Sequence, residues 1–343
     1  MKKQFQFSTA KVDYYFDTGF SYLEKLVSKD QAVILTDTHV FAAHKKLFKN
    51  WRTIVIEAGE QHKNQATADS VIEQLIAWEA DRKTTLIGVG GGVVTDMAGY
   101  VAGIYMRGIP CGFVPTSLLA MVDASIGGKN GIDVGVYKNM VGLIRQPRFL
   151  LFDTGLLRTL PLAEWQNGFA EIIKHACIRD AAMFRLLESH KVSDFRKDTK
   201  LLNAIVKRNV LIKTKVVAND EFEQGERKLL NFGHTLGHAI ENMYQLSHGQ
   251  AISVGMTYAA VLSQQLTGFK QAPEVTALLG RYGLPTQYDF DRAKAFAILK
   301  QDKKKNRDSI HYILLEKIGK GTMQLLPFTG LETLLAKDKT DGK

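Results

Sequence analysis

The sequence predicts an α/β N-terminal domain with a mostly parallel sheet, followed by a mostly α-helical C-terminal domain. Three observations carry this. The first half alternates short β-branched runs with a helical period, and the second half is helical almost throughout. In addition, 343 residues exceed what one hydrophobic core usually serves.

In chain order, AVILT (32–36), TIVIEA (53–58), TTLIGVG (84–90) and GFVPT (112–116) are short and rich in β-branched residues, as strands are. Between the second and third, TADSVIEQLIAWEA places apolar side chains at Val71, Ile72, Leu75, Ile76 and Trp78, a helical period. Strands alternating with helices form a parallel sheet covered on both faces. After RFLLFD (148–153) the character changes, which predicts domains over 1–155 and 156–343. From Pro161 the period is helical through AEWQNGFAEIIKHACI, MFRLLESH, LLNAIVKRNVLIKTKVV and NFGHTLGHAIENMYQLSHG. Late strands are predicted at HYILLE (311–316) and MQLLP (323–327), and the tail KDKTDGK is expected to fray.

Composition narrows the class. At 45% hydrophobic and 23% charged residues, the chain reads as an ordinary soluble globular protein. Two cysteines, Cys111 and Cys177, are too few for a disulfide scaffold or a four-cysteine zinc site, and they suit a reducing cytoplasm. The opening MKKQFQFSTAKVDYYF lacks the apolar run of a secretory signal. The most apolar window, 84–106, contains six glycines and Asp96, which suits a buried strand, loop and helix rather than a membrane span. Net charge is +10, but acids interleave the basic stretches and no aromatic stacking pattern accompanies them. A solvated face or an anionic small substrate therefore accounts for the charge better than nucleic acid does.

Four stretches could carry chemistry. GVGGGVVTD follows a strand and opens a helix, so its glycines would let backbone N–H groups approach a pyrophosphate; its spacing is not G-x-G-x-x-G, and a plain tight turn uses the same residues. DASIGGKNG fails as a nucleotide-hydrolysing P-loop, with Asp123 at the first glycine position and Asn130 where Ser or Thr would hold magnesium. Its Lys129 could still meet an anion, or simply be exposed. HTLGH shares only the spacing of H-E-x-x-H, because Thr235 replaces the general base of a zinc protease. A catalytic divalent site wants about three protein ligands. His234, His238 and His248 could supply them, or a carboxylate could replace one. Glu171 is the candidate, an acid on an apolar helix, although Lys174 one turn on could be its plain ion-pair partner. The residues alone leave the ligand set open.

Taken together, AGEQHK, GVGGGVVTDMAGYVAGIYMRGI, PTSLLAMVDASIGGKNGID, YKNMVG, LPLAEWQNGFAEIIKHA, ERKLLNFGHTLGHAIE, SHGQAISVGM and DKKK before ILLEKIG resemble the 3-dehydroquinate synthases, the cyclases of the shikimate pathway. The resemblance spans nearly the whole chain. It implies that Glu171, His234 and His248 hold one zinc or cobalt ion, while His238 faces the substrate phosphate. It implies NAD in the α/β domain: Asp37, Glu60 and Lys63 at the nucleoside and ribose, Gly91, Gly92 and Asp96 flanking the pyrophosphate, and Thr116, Ser117, Lys129, Lys138 and Thr159 around the rest. The implied substrate is 3-deoxy-D-arabino-heptulosonate 7-phosphate, an anionic sugar phosphate. Lys213 and Arg227 would meet its carboxylate, and Asn139, Asn231, His238 and Lys303 or Lys304 its phosphate. Lys174, His238, Asp123, Asn231 and Lys213 would make the catalytic contacts, with Lys129 also facing substrate. Arg107 would reach in from the neighbouring subunit of a homodimer.

The implied reaction is transient oxidation by NAD, β-elimination of phosphate, reduction, ring opening and aldol closure, with the substrate's own phosphate as the base for its loss. Three positions depart from the family pattern: Gln250 where glutamate is expected, Tyr137 where glycine is usual, and His39 where asparagine is usual. The alternatives are another sugar-phosphate cyclase, whose substrate lacks the carboxylate, and an iron-group polyol dehydrogenase, which would release NADH. A non-catalytic NAD- or phosphate-binding regulator would not need the Glu–His–His set.

Overall fold

The computed structural model describes residues 1–135, 137–244, 246–302 and 308–331; Lys303, Lys304 and the tail expected to fray lie outside the described residues. Eleven strands are β1 (Lys2–Gln6), β2 (Lys11–Tyr15), β3 (Ala32–Asp37), β4 (Arg52–Ile56), β5 (Thr85–Gly90), β6 (Cys111–Pro115), β7 (Lys129–Val134), β8 (Tyr137–Ile144), β9 (Phe149–Leu151), β10 (Ser309–Lys317) and β11 (Lys320–Pro327) among the described residues. The α-helices there are α1 (Thr38–Ala43), α2 (Gln65–Ala77), α3 (Gly92–Ile104), α4 (Leu162–Arg179), α5 (Ala181–Glu188), α6 (Val192–Lys197), α7 (Thr199–Asn219), α8 (His234–Met243), α9 (His248–Thr267), α10 (Ala272–Arg281) and α11 (Arg292–Asp302).

The chain folds into two compact units, one of residues 1–165 with 196–222 and the other of 166–195 with 223–343. The domain limits expected from sequence, 1–155 and 156–343, describe one passage between units; the observed units need three, because α7 belongs with the first. Its sequence is helical like the segments around it, so periodicity does not reveal the return.

The first unit is built on a seven-stranded sheet in the order β1-β2-β9-β6-β5-β3-β4. Every pairing from β2 to β4 across the sheet is parallel, and only β1 and β2 run antiparallel. β5 and β6 are buried at every residue, so their apolar runs do not alternate, as expected for strands covered on both faces. One face packs Tyr15, Ile34, Ile87, Val89, Val114, Phe149 and Leu151 with Phe20, Phe48 and Trp51. Within strands these residues recur with period two, the alternation of a pleated sheet. The order reverses between β3 and β5: the chain passes from β3 outward to β4 and returns to pair β5 on the other side of β3.

Among the described residues, the regular structure of the second unit is helical apart from the antiparallel hairpin β10–β11. Phe169 packs against Phe195 and Tyr282 with ring centroids 5.0 and 4.6 Å away. No helix among the described residues is long and apolar enough to cross a membrane.

Candidate functional site

α4 carries Glu171, the first candidate ligand. Phe169, Ala170, Ile172, Ile173 and Ala176 are all buried, so the helix is enclosed on every side and Glu171 is fully buried with them. An acid so placed needs a charge partner or a metal. His234 and His248 are the first residues of α8 and α9. Glycines bring these two helix starts together. Gly233 is left-handed (φ 80°), and a Cβ on Gly255 would lie 1.9 Å from the Gly233 carbonyl oxygen. A Cβ on Gly249 would lie 2.6 Å from Cα of Asn167 on α4.

The result is one carboxylate oxygen facing two imidazoles. His234 Nε2 lies 3.5 Å and His248 Nε2 3.2 Å from Glu171 Oε1. The ligand atoms of this trio all fall within 4.8 Å of one another. Each ring turns its other nitrogen to an acceptor: Nδ1 of His234 lies 3.2 Å from the Phe232 carbonyl, and Nδ1 of His248 lies 3.3 Å from Glu241 Oε2. With Nδ1–H donating and Nε2 deprotonated, each ring would present a lone pair on the side of Glu171, the arrangement of metal-ligating histidines. One acid and two imidazoles fit a zinc-type divalent ion and leave positions open for substrate oxygens. Burial, together with the Lys174 ammonium, holds His234 well below the usual imidazole range, so its ring is neutral as a ligand requires. Burial also opposes the charged form of His248, but hydrogen bonds to Glu171 and Glu241 outweigh it and raise the ring to about 9.

Around this trio, Lys174 forms the ion pair with Glu171 that its spacing allows. That pairing explains a buried charge without a metal but not the two convergent imidazoles. His238 is exposed, its ring centroid 5.1 Å from that of His234 and 6.1 Å from that of His248. A second group, His238, Glu241 and His248, also lies within 4.8 Å, but it lacks the buried charge of Glu171. Asn231 donates to Glu223 Oε1 at 2.7 Å, and Arg227 is buried.

In the first unit, the expected cofactor residues gather at the carboxyl ends of adjacent parallel strands. Asp37 ends β3, Glu60 follows β4, Gly91 and Gly92 follow β5, and Thr116 and Ser117 follow β6. This is the edge, beside the reversal of strand order, where open α/β sheets bind ligands. Gly91 is the N-cap of α3 and provides no side chain to its first turn, leaving N–H groups for an anion. A Cβ there would meet only Ser117, at 3.5 Å, so packing does not demand the glycine, and the bare backbone suits the close approach of a pyrophosphate. The residues fit NAD.

Two ion-paired clusters follow, the first of which links residues expected to serve different ligands. Buried Lys63 donates to Asp96 and to Asn139 Oδ1, both at 2.6 Å, and Asp133 accepts the backbone N–H of Asn139 at 2.7 Å. Burial lifts Asp96 above the ordinary carboxylate range, with Lys63 opposing it. Lys213 pairs with Asp123 Oδ1 at 2.8 Å. Lys129 and Lys138 are exposed on β7 and β8, and Thr159 is engaged with a ring nitrogen of His44 at 2.9 Å. Exposed Arg107 and its neighbour Met106 are left-handed, at φ 63° and 49°, and Ile104, Tyr137, Met140 and Val141 are exposed apolar residues.

Glu241, Asn167 and Asp133 escaped the sequence reading. Glu241 offered a signal, since H-x-x-E places it one turn after His238 on the same face. Asn167 and Asp133 offered none. Of the three departures, Gln250 accepts the Ser247 N–H at 3.0 Å in a capping box, a task glutamine and glutamate share. Tyr137 and His39 are exposed.

Comparison with known proteins agrees along the chain. The family profile described as 3-dehydroquinate synthase N-terminal matches residues 53–167, and that described as 3-dehydroquinate synthase C-terminal matches 168–305. A 3-dehydroquinate synthase of Dehalococcoides mccartyi (strain CBDB1) is 39% identical over 310 residues, 87% of this chain and 86% of the relative. That of Pyrococcus abyssi (strain GE5 / Orsay) is 42% identical over 277 residues, 80% and 81% of the two chains. Among solved structures, a 2-deoxy-scyllo-inosose synthase complexed with carbaglucose-6-phosphate, NAD+ and Co2+ superimposes with a TM-score of 0.85 at 25% identity, covering 98% of this chain and 99% of that one. The 2-epi-5-epi-valiolone synthase of Streptomyces hygroscopicus subsp. jinggangensis 5008, with NAD+ and Zn2+ bound, gives 0.86 at 25% identity over 97% of each.

Proposed function

Because the chain belongs to the 3-dehydroquinate synthase family, we propose that it converts 3-deoxy-D-arabino-heptulosonate 7-phosphate to 3-dehydroquinate and phosphate. The reaction proceeds by transient oxidation, β-elimination, reduction, ring opening and intramolecular aldol closure. When bound, NAD supplies a reversible hydride acceptor and the zinc or cobalt ion a Lewis acid for the substrate's hydroxyls. The single observation that carries the reading is the buried Glu171 carboxylate with two imidazole Nε2 atoms turned on one of its oxygens.

This chain's residues then divide the work by charge. Glu171, His234 and His248 hold the ion. Lys213 and Arg227, both buried cations, receive the substrate carboxylate; arginine's planar fork suits a bidentate contact. His238, Asn231 and Asn139 receive the phosphate, together with Lys303 or Lys304. Lys174 and Asp123 complete the polar lining, and Lys129 faces both ligands. On the cofactor side, Asp37, Glu60 and Lys63 hold nucleoside and ribose, the first turn of α3 with Gly91, Gly92 and Asp96 holds the pyrophosphate, and Thr116, Ser117, Lys138 and Thr159 hold the rest. The substrate's phosphate acts as its own base, so the protein's task is to orient it. The protein works in the cytoplasm as a homodimer. Support for the dimer comes from the exposed, left-handed Met106–Arg107 pair, which would present Arg107 to a partner's site, and from the exposed apolar residues Ile104, Met106, Tyr137, Met140 and Val141.

The identity to dehydroquinate synthases, 39–42% in the relatives above against 25% for the two other cyclases, favours the substrate with a carboxylate. Purified protein with heptulosonate phosphate, catalytic NAD and zinc or cobalt should release phosphate and form dehydroquinate. Glu171→Gln should lose metal and turnover together. Absence of phosphate release overturns the proposal, and stoichiometric NADH would indicate a dehydrogenase instead.

A further inference from the structure

The two imidazoles are held in different ways. His234 is oriented by a backbone carbonyl, that of Phe232, which no substitution removes. His248 depends on side chains. It is the first residue of its helix, and its side chain is 29% exposed against 11% for His234. Two residues outside the ligand set confine it. Glu241, near the end of α8 and 10% exposed, faces Nδ1. Asn167 lies on α4 one turn before Glu171, so both project from the same face of that helix. Its Oδ1 accepts from the Ser247 hydroxyl at 2.6 Å and from the Gly249 N–H at 3.2 Å. These are the residues on either side of His248. Gly249 permits the contact, because a Cβ there would collide with Asn167 backbone.

We propose that Glu241 and Asn167 are positioning residues that present His248 to the ion, Glu241 by fixing the ring and its proton and Asn167 by tying the start of α9 to the helix that carries Glu171. The inference rests on reading Glu171, His234 and His248 as the metal ligands. A neutral imidazole carries one N–H. A carboxylate on Nδ1 keeps the proton there, leaves the lone pair on Nε2 and raises the basicity of the ligand. Asn167 makes the distance between His248 and Glu171 a property of α4 rather than of the connection between α8 and α9.

The test uses full-length protein stripped of metal, with Zn2+ and Co2+ affinity read by competition with a chromophoric chelator. Glu241→Ala and Asn167→Ala are each expected to weaken binding by about 10- to 100-fold, the usual effect of losing the partner of a ligand. Glu241→Gln keeps an acceptor for Nδ1–H without the charge and should fall between Glu241→Ala and the parent. Nitrogen NMR of labelled histidine in the metal-free protein at about pH 10, where the ring is neutral, with His248 identified by its loss in His248→Asn, should show the proton on Nδ1 in the parent and redistributed in Glu241→Ala. A merely structural role would lower the metal-free melting temperature and leave the proton where it is. Unchanged affinity and proton position in Glu241→Ala overturn the proposal; if that variant does not fold, the same result in Glu241→Gln overturns it. An equal loss of affinity in His238→Ala would make Glu241 a ligand and also overturn it. Glu171→Gln separates the two levels: if it binds metal as tightly as the parent, the ligand set itself is wrong, and if it alone loses metal, only the positioning role fails.

Discussion

His234 and His238 stand one turn apart on α8, yet their surroundings assign them different work. His234 is buried, kept neutral and turned on Glu171, whereas His238 is exposed. His234→Ala should therefore weaken Zn2+ binding by more than about 100-fold, since even the outer partners of a ligand are worth about 10- to 100-fold. His238→Ala should leave metal affinity unchanged while turnover falls by about 100-fold, the order lost when a contact that positions the reacting group is removed. Chelator competition and phosphate release measure the two quantities separately. The spacing of HTLGH suggests that both histidines are ligands. The residues alone offer His234, His238 and His248, with Glu171 as a possible replacement for one; only the family resemblance sets His238 aside, because a site assembled from residues far apart along the chain leaves no local period to read. Glu171 was legible for a physical reason, as a lone acid in an apolar helical run.

At the level of elements, the proposed metal trio depends on how closely α8 and α9 approach, since each helix begins with one of its two imidazoles. Their crossing has no room for a methyl group at Gly255, where the obstacle is the Gly233 carbonyl, a backbone atom that cannot rotate away. Gly255→Ala should cost about 1–3 kcal/mol of stability, the usual effect of overpacking, and should weaken metal binding with it. Chemical denaturation without metal and chelator competition would show the two losses together; metal affinity retained at reduced stability would mean that the ligands tolerate separation of the helices. Element legibility followed burial. Strands β3, β5 and β6 are evident because enclosed strands are continuous apolar runs, and edge strand β4 because TIVI is itself β-branched. The hairpins β1–β2 and β7–β8 escape the sequence for different reasons: KKQFQ is largely polar, and YKNMVGLI, exposed at all but one residue, has apolar residues that follow no alternation between a buried and a solvent face. β7–β8 nonetheless carries Lys129, Lys138 and Asn139.

Over the whole molecule, the feature least visible in sequence is the return of 196–222 to the first unit. Helical periodicity reports that α7 has a face to bury but not which unit receives it. The return ends on a buried acid. Glu221, just beyond α7, accepts from the backbone N–H and hydroxyl of Ser8, from the Thr9 hydroxyl at 3.2 Å and from Gln146 Nε2 at 2.8 Å. It thus joins the β1–β2 turn, the approach to β9 and the end of α7, three segments distant in sequence within one unit. Burial alone would raise its carboxyl, but these donors outweigh burial and hold it below the ordinary glutamate value of 4.5. A folded-state value below the unfolded one adds stability above about pH 4.5 and loses it as pH falls through the depressed value. Glu221→Gln should therefore lower stability at pH 7 by about 1.5–3 kcal/mol, the range for hydrogen bonds to a charged group. The gap between parent and variant should narrow below about pH 4, where the parent's carboxyl takes up its proton. Urea unfolding of both proteins from pH 3 to 8 measures this, and a gap independent of pH would mean that the ionised carboxylate is not what ties α7 to its unit.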